Sequence, residues 1–191
     1  MIYSLSGKLS AKKNGLIVIE VGGVGFKVVV GKNAMESLPD VGSLVKLFSH
    51  LYMREDGLEL YGFISEEELS FFEKLISISG IGPKSALNIL SIAKLDQLIA
   101  AINEGKVDLL TKASGVGKKT AERVVLELRG KLQSVSSEKI VKQMESDLDI
   151  EDALVGLGYA RQQAKNAISK IDPKIKNLED RIKEALKKIK N

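Results

Sequence analysis

Ser79-Gly80-Ile81-Gly82-Pro83-Lys84-Ser85-Ala86 and Ser114-Gly115-Val116-Gly117-Lys118-Lys119-Thr120-Ala121 are two versions of one phrase, 35 residues apart. Each reads Ser-Gly-aliphatic-Gly, then one or two basic residues, then a small hydroxyl residue and Ala. Each stands between two apolar helical patterns. Glycines one residue apart let the backbone turn sharply and come close to a partner, because no Cβ intervenes. The helix that follows starts with N–H groups that have no intrahelical acceptor. Those donors, the helix dipole and an adjacent Lys suit one phosphate. Two copies suggest an internal repeat that grips a sugar-phosphate backbone twice.

Two rival readings of the phrase differ in standing. Either copy alone could be no more than a tight turn between helices; the repetition of the following basic and hydroxyl residues argues against that. A nucleotide loop fits poorly. The P-loop pattern requires Gly where Lys112 stands, and Ser or Thr where Lys119 stands. The dinucleotide pattern fails at its third Gly, which is Ser85 or Thr120 here, and no strand precedes either copy.

Working outward, the helical pattern around the phrase fills residues 64–132. Ser65 with Glu68 forms a capping box. Leu69, Phe72, Leu75 and Ile76 then keep helical spacing. Ala86, Leu87, Leu90 and Ala93 suggest the next helix. Asp96 is placed to cap a helix over Leu98 to Ile102, which Gly105 stops. Val107, Leu109 and Leu110 lead into the second phrase, and Thr120 to Leu132 forms the last helix. Helix, Gly-x-Gly hairpin, helix occurs twice, the pattern of a tandem helix-hairpin-helix domain.

Residues 1–63 read as β. Strands are expected from Ile2 to Ala11, Leu16 to Val21, Phe26 to Val30, Leu44 to Tyr52 and Leu58 to Phe63. Asn14-Gly15 marks a hairpin, and a short helix over Asn33 to Leu38 ends at Pro39. Five short strands and one helix fit an OB-type barrel, with an SH3-like barrel as the alternative. The tip Glu55-Asp56-Gly57 is either an ordinary turn or a repulsive element that keeps DNA strands apart.

Past residue 132 the character changes. Residues 133–146 are polar and read as a flexible linker through which a helix could partly continue. Residues 147–191 form a compact three-helix unit: Asp149 to Leu157, Ala160 to Ile171, and a stripe of Ile175, Leu178, Ile182, Ala185, Leu186 and Ile189. A core this small is marginal, which suits a partner-docking module better than an enzyme. Lys183, Lys187, Lys188 and Lys190 are interleaved with Glu179, Asp180 and Glu184, and read as a solvated face.

Composition limits the chemistry. With no Cys there are no disulfides or thiolate metal sites, which fits a reducing cytoplasm. The single histidine, His50, cannot build a multi-His metal site or a familiar hydrolytic triad. No apolar run is long enough to span a membrane, and the opening residues lack the pattern of a signal peptide. The net charge of +4 leans weakly toward polyanions. Residues 63–130 hold nine basic and nine acidic residues, yet Lys112, Lys118, Lys119 and Arg123 gather at the second phrase against Glu122 alone.

In this order the parts resemble the RuvA family, the Holliday-junction-binding subunits of bacterial branch-migration machines. The resemblance spans nearly the whole chain. It is carried by Met1-Ile2-Tyr3 with Gly7, by Leu51-Tyr52-Met53-Arg54-Glu55-Asp56 running into Leu60-Tyr61-Gly62-Phe63, by both Gly phrases, and by Ala153-Leu154-Val155-Gly156-Leu157-Gly158-Tyr159. It implies an α+β multidomain chain: an OB-like barrel, a tandem helix-hairpin-helix domain and a mobile, UBA-like three-helix domain. It implies phosphate binding by the backbone at Gly80, Gly82, Gly115 and Gly117, with Lys84, Lys118, Lys119 and Arg123. It places Glu55 and Asp56 at an acidic pin near the crossover. It implies a homotetramer, with an octamer on DNA left open, that holds a four-way junction square. The motor would be the RuvB ATPase, docked through residues 147–191, and the RuvC resolvase a further partner, in recombination, repair and the SOS response. No catalytic residue, metal or cofactor is implied. The rival from another class is a structure-selective nuclease with Glu55, Asp56 and Glu59 as metal ligands. A third reading is a general duplex-binding scaffold.

Overall fold

Alternation of buried and exposed residues builds the first domain. In a computed structural model, which describes residues 2–54, 57–132, 137–172, 175 and 177–190, Leu5, Leu9, Ile17, Ile19, Val28, Val30, Val45 and Leu47 are all buried and form one interior. They lie on strands β1 (Ser4–Lys13), β2 (Leu16–Val21), β3 (Val24–Val30) and β4 (Leu44–Arg54); β5 (Gly57–Phe63) completes the set. The strands close in the order β1-β2-β3-β5-β4, with β1 returning to β4. The pairs are antiparallel except β3 with β5, which is parallel at Val29–Tyr61 and Val30–Gly62. A five-stranded closed barrel with this crossing is of the OB type, and the SH3-like alternative falls away. Two glycines permit the closure. A Cβ at Gly7 would lie 2.2 Å from the Glu20 carbonyl oxygen, and one at Gly62 would lie 2.6 Å from Val28 Cγ1.

The outer face of β5 belongs to a second core. Tyr61 and Phe63 pack on Phe72 of α2 (Glu66–Ile76), with ring centroids 5.5 and 4.7 Å apart. This core continues through α3 (Pro83–Ile92), α4 (Leu95–Asn103), α5 (Val107–Leu110) and α6 (Lys118–Leu128). The short helix α1 (Lys32–Ser37) ties the two together. Asn33 Nδ2 donates to the carbonyls of Leu90 (2.9 Å) and Ala93 (3.1 Å), and so caps the C-terminal end of α3. Residues up to Val135 form one compact unit.

Helix ends differ from the sequence expectation in instructive ways. Ser65 Oγ accepts from Glu68 N at 3.2 Å, as expected of a cap, but Glu68 returns its bond to Ile64 N, one residue before the usual partner. Asp96 does not cap α4. The helix starts at Leu95, because Leu95, Leu98 and Ile102 form one stripe on the core, and Asp96 sits in the first turn, where its charge suits the dipole. The helix expected from Thr120 to Leu132 instead begins at Lys118 and stops at Leu128. Gly130 takes φ 74°, and Asn103 binds the exit through Gly130 N (3.1 Å) and Leu132 O (3.3 Å).

The second compact unit is residues 136–191. It holds α7 (Ser137–Gly156), α8 (Arg161–Ile168) and α9 (Leu178–Lys190) around Ile150, Leu154, Ala164, Ala167, Ile171 and Ala185. The linker expected over 133–146 is therefore helical from Ser137 onward. Its Glu, Lys, Gln and Met residues are good helix formers, and Ile140, Met144 and Leu148 stand at helical spacing, a stripe that the polar run over residues 133–139 obscures in the sequence. Arg181 is buried, 4% exposed, and donates to Ser146 Oγ (2.6 Å) and to Asp147, fastening α9 to α7. Asn177 Oδ1 caps α9 through Glu179 N (2.9 Å). On α9, Lys183 pairs with Asp180, while Lys187 and Lys188 pair with Glu184, as a solvated face requires. No single helix among the described residues is long and apolar enough to cross a membrane.

Candidate nucleic-acid interface

The two Gly phrases fold into the same object, bond for bond. In the first, Ile78 N donates to Leu75 O (3.1 Å), Ile81 N to Ile78 O (3.0 Å), and Ala86 N to Gly82 O (3.0 Å). Thirty-five residues on, Ala113 N donates to Leu110 O (3.1 Å), Val116 N to Ala113 O (3.1 Å), and Ala121 N to Gly117 O (2.9 Å). The aliphatic residue between the glycines is the anchor: Ile81 and Val116 are each 5% exposed and reach into the shared core. Each turn is thus held from below while its glycines stay at the surface.

The glycines of a pair have different reasons to be there. Gly80 and Gly115 take φ 89° and 80°, a left-handed conformation costly for other residues. Gly82 and Gly117 take φ −86° and −81°, which any residue adopts. A Cβ at either would meet nothing within 4 Å. Nothing inside the protein asks for glycine at these two positions.

Gly82 and Gly117 are also the N-caps of α3 and α6, and neither cap supplies a side-chain acceptor. The N–H groups of Lys84 and Ser85 in α3, and of Lys118, Lys119 and Thr120 in α6, open each helix toward the exposed turn. Pro83 takes the first position of α3, so the first hairpin offers one donor fewer. The charges run against the usual rule. α2, α4 and α5 carry Glu66, Glu67, Glu68, Asp96 or Asp108 in their first turns, where a helix dipole favours anions. α3 and α6 carry no acid there and present exposed Lys84, Lys118 and Lys119 instead. α1 and α8 also start without an acid, on Lys32 and Arg161, but the Lys32 N–H is answered by Ser91 Oγ at 3.1 Å; what sets α3 and α6 apart is that the same bare glycine cap with lysine recurs at equivalent places of the two repeats.

Arg123 is exposed on α6, and its Nη1 donates to Ser79 O at 2.7 Å, in the other hairpin. In the reverse direction, Asn88 Nδ2 of α3 donates to Ser114 O at 2.8 Å. Sequence reading singled out Arg123 but not Asn88; the signal was the repeat itself, since Asn88 stands 35 residues before Arg123.

Near the first hairpin, Glu59 of β5 accepts from Tyr61 Oη (2.6 Å) and pairs with Arg54 Nη1 (3.4 Å). The Tyr61 hydrogen bond, helped by the charges of Arg54 and Lys84, holds the Glu59 carboxyl below the usual range. Burial, and then Glu59 itself, push the Tyr61 phenol well up. Glu59 is therefore committed to an internal network. Glu55 and Asp56, expected at an acidic tip, lie outside the described residues. Among the described residues no group of three or more His, Asp or Glu is arranged to hold a metal.

Comparison with known proteins follows these boundaries. Residues 1–62 match the family described as RuvA N terminal domain, residues 72–131 the SAM-like Helix-hairpin-helix tandem, and residues 148–190 the RuvA, C-terminal domain. A protein of Caldanaerobacter subterraneus subsp. tengcongensis named Holliday junction branch migration complex subunit RuvA is 44% identical over 174 residues, 91% of this chain and 90% of the relative. Proteins of the same name from Thermoanaerobacter sp. (41% identical, 99% of each chain) and Dehalococcoides mccartyi (42% identical, the full length of each) match end to end. With three domains matched in order and relatives alike over their whole length, this chain belongs to the RuvA family.

Proposed function

We propose that this chain binds four-way (Holliday) junction DNA by its structure rather than its sequence, and catalyses no reaction itself. The observation that carries this reading is the pair of bare helix starts at Gly82 and Gly117, open to an external anion and edged with lysine. Backbone N–H groups around Gly80, Gly82, Gly115 and Gly117, with Lys84, Lys118, Lys119 and Arg123, bind phosphates of the junction arms. Phosphate contacts set position and orientation without reading bases. The relatives' printed name supplies the four-way substrate.

The finer mechanism extends from there. Four copies around a four-fold axis match four arms. The Glu55-Asp56 tips stand near the crossover and repel strands that would otherwise close over it. Residues 147–191 dock the RuvB ATPase, which drives branch migration, and RuvC acts on the same junction. The bound junction is held open and square.

A competition gel shift tests this. A labelled four-way junction is challenged with excess linear duplex of the same sequence, with and without Mg²⁺. Retention of the uncut junction is expected. Equal competition by duplex would reduce the hairpins to generic phosphate grips. Cleavage that requires Mg²⁺ would replace this reading with a nuclease.

A further inference from the structure

We infer that Asn88 is a positioning residue which, together with Arg123, locks the two hairpins to each other, so that both phosphate grips meet the DNA backbone at a fixed separation. This rests on the DNA-binding reading above and adds to it a residue that carries no charge. Asn88 and Arg123 occupy the same place in the two repeats, 35 residues apart, and so do their acceptors Ser79 and Ser114. Each side chain crosses to the opposite turn: Asn88 Nδ2 to Ser114 O at 2.8 Å, Arg123 Nη1 to Ser79 O at 2.7 Å. Ser85 Oγ adds a long contact to Gly115 O at 3.5 Å. The exchange is reciprocal, so neither turn can shift along the surface without breaking a bond made by the other repeat.

The acceptors explain why the lock lies here. Ser79 and Ser114 are exposed and immediately precede the left-handed glycines, so on the DNA-binding reading their carbonyls lie next to the bound phosphate. An unanswered carbonyl at that rim is a partial negative charge beside a phosphate. A donor from the neighbouring repeat answers it and leaves the rim neutral to positive. Arg123 uses one of its five donors in this way and keeps its charge for DNA. Asn88 has no charge, so its whole contribution passes through Ser114.

That property makes the lock separable from direct binding. Asn88→Ala and the near-isosteric Asn88→Leu remove the donor and change no charge. In the full chain bound to a four-way junction, affinity is measured from 50 to 200 mM salt. The expected result is a binding constant weaker by about tenfold, as for one lost hydrogen bond and its misplacement. The salt slope falls by about 0.9 for each phosphate no longer engaged, although no cation was removed. In the same background, Lys118→Ala with Lys119→Ala has a reduced effect, while Lys84→Ala keeps its full effect. A variant that is merely less well folded would lower the active fraction and leave the slope unchanged; that outcome, or wild-type slopes with undiminished lysine effects, overturns the lock. If the wild-type chain itself shows no preference for the junction over duplex, the DNA-binding reading fails first, and the inference with it.

Discussion

Replacing Lys118 and Lys119 together by Ala separates the grip from the scaffold most cleanly. Both side chains are exposed in the first turn of α6, and neither packs in the core. Each phosphate neutralised by a lysine contributes about 0.9 to the slope of log affinity against log salt, so losing two lowers the slope by about 1.8 per engaged subunit. Between 50 and 200 mM salt, a fourfold change, that gives roughly a twelvefold difference in how wild type and variant lose affinity. Lys84→Ala removes one charge and about 0.9 of slope, or roughly 3.5-fold over the same range. The stability change has the opposite sign. Two cations at the positive end of a helix dipole are unfavourable by about 0.3–1 kcal/mol each at low salt, so the double variant melts slightly higher than wild type. The assay is a salt titration of junction binding by fluorescence anisotropy, paired with a thermal melt. Weaker binding with an unchanged slope, or a smaller slope change than for Lys84→Ala, would refute the assignment of these lysines to phosphates.

Three further outcomes follow from the described contacts. Arg181→Ala removes the buried cation that fastens α9 to Ser146 and Asp147 of α7 and costs about 3 kcal/mol, the low end for a broken buried pair because Asp147 reaches solvent; circular dichroism should show α7, α8 and α9 melting earlier, with Arg181→Met less affected. Asn33→Ala strips the donor from the Leu90 and Ala93 carbonyls and costs about 1–3 kcal/mol in thermal unfolding of the first unit. Tyr61→Phe removes the main cause of the low Glu59 pKa, so in a carboxyl NMR titration Glu59 should titrate at higher pH than in wild type. A depressed carboxyl stabilises the fold above its ordinary range and loses that contribution as pH falls through the depressed value; Tyr61→Phe therefore flattens the acid side of the stability curve. An unmoved Glu59 midpoint would remove Tyr61 as the cause.

Features set by neighbours in the chain were legible in advance. Leu16 to Val21 forms a strand as read, Asn14-Gly15 turns the chain into it as read, and Ser65 caps α2 from three residues away. Both Gly phrases were visible because Gly in a fixed frame is a backbone statement. Features set by the fold were not. The start of α4 at Leu95 depends on which residues face a core that does not exist until the helices pack. The stop of α6 depends on Asn103, in another helix. The first half of α7 follows a polar run and carries only Ile140, Val141, Met144 and Leu148 as apolar residues, so it read as a linker through which a helix could only partly continue. Within the candidate site, the lysines and glycines could be named from sequence, whereas the crossing bonds of Asn88 and Arg123 are relations between repeats. The distinction between Gly80 and Gly82 likewise needed torsion angles, since the letters are the same.

The matching of the two turns through main-chain bonds has a consequence for how such a protein can change. Because Ile78, Ile81 and Ala86, and their counterparts Ala113, Val116 and Ala121, shape the turns through backbone N–H and C=O groups, and Asn88 and Arg123 tie them together, the lysine side chains at positions 84, 118 and 119 take no part in holding them. These lysines can be exchanged without redrawing the turn. Affinity can then be varied without redrawing the fold: one hairpin can be made stickier, the other weaker, and a library confined to positions 84, 118 and 119 would sample affinity while stability moves only by the small dipole contribution of each charge.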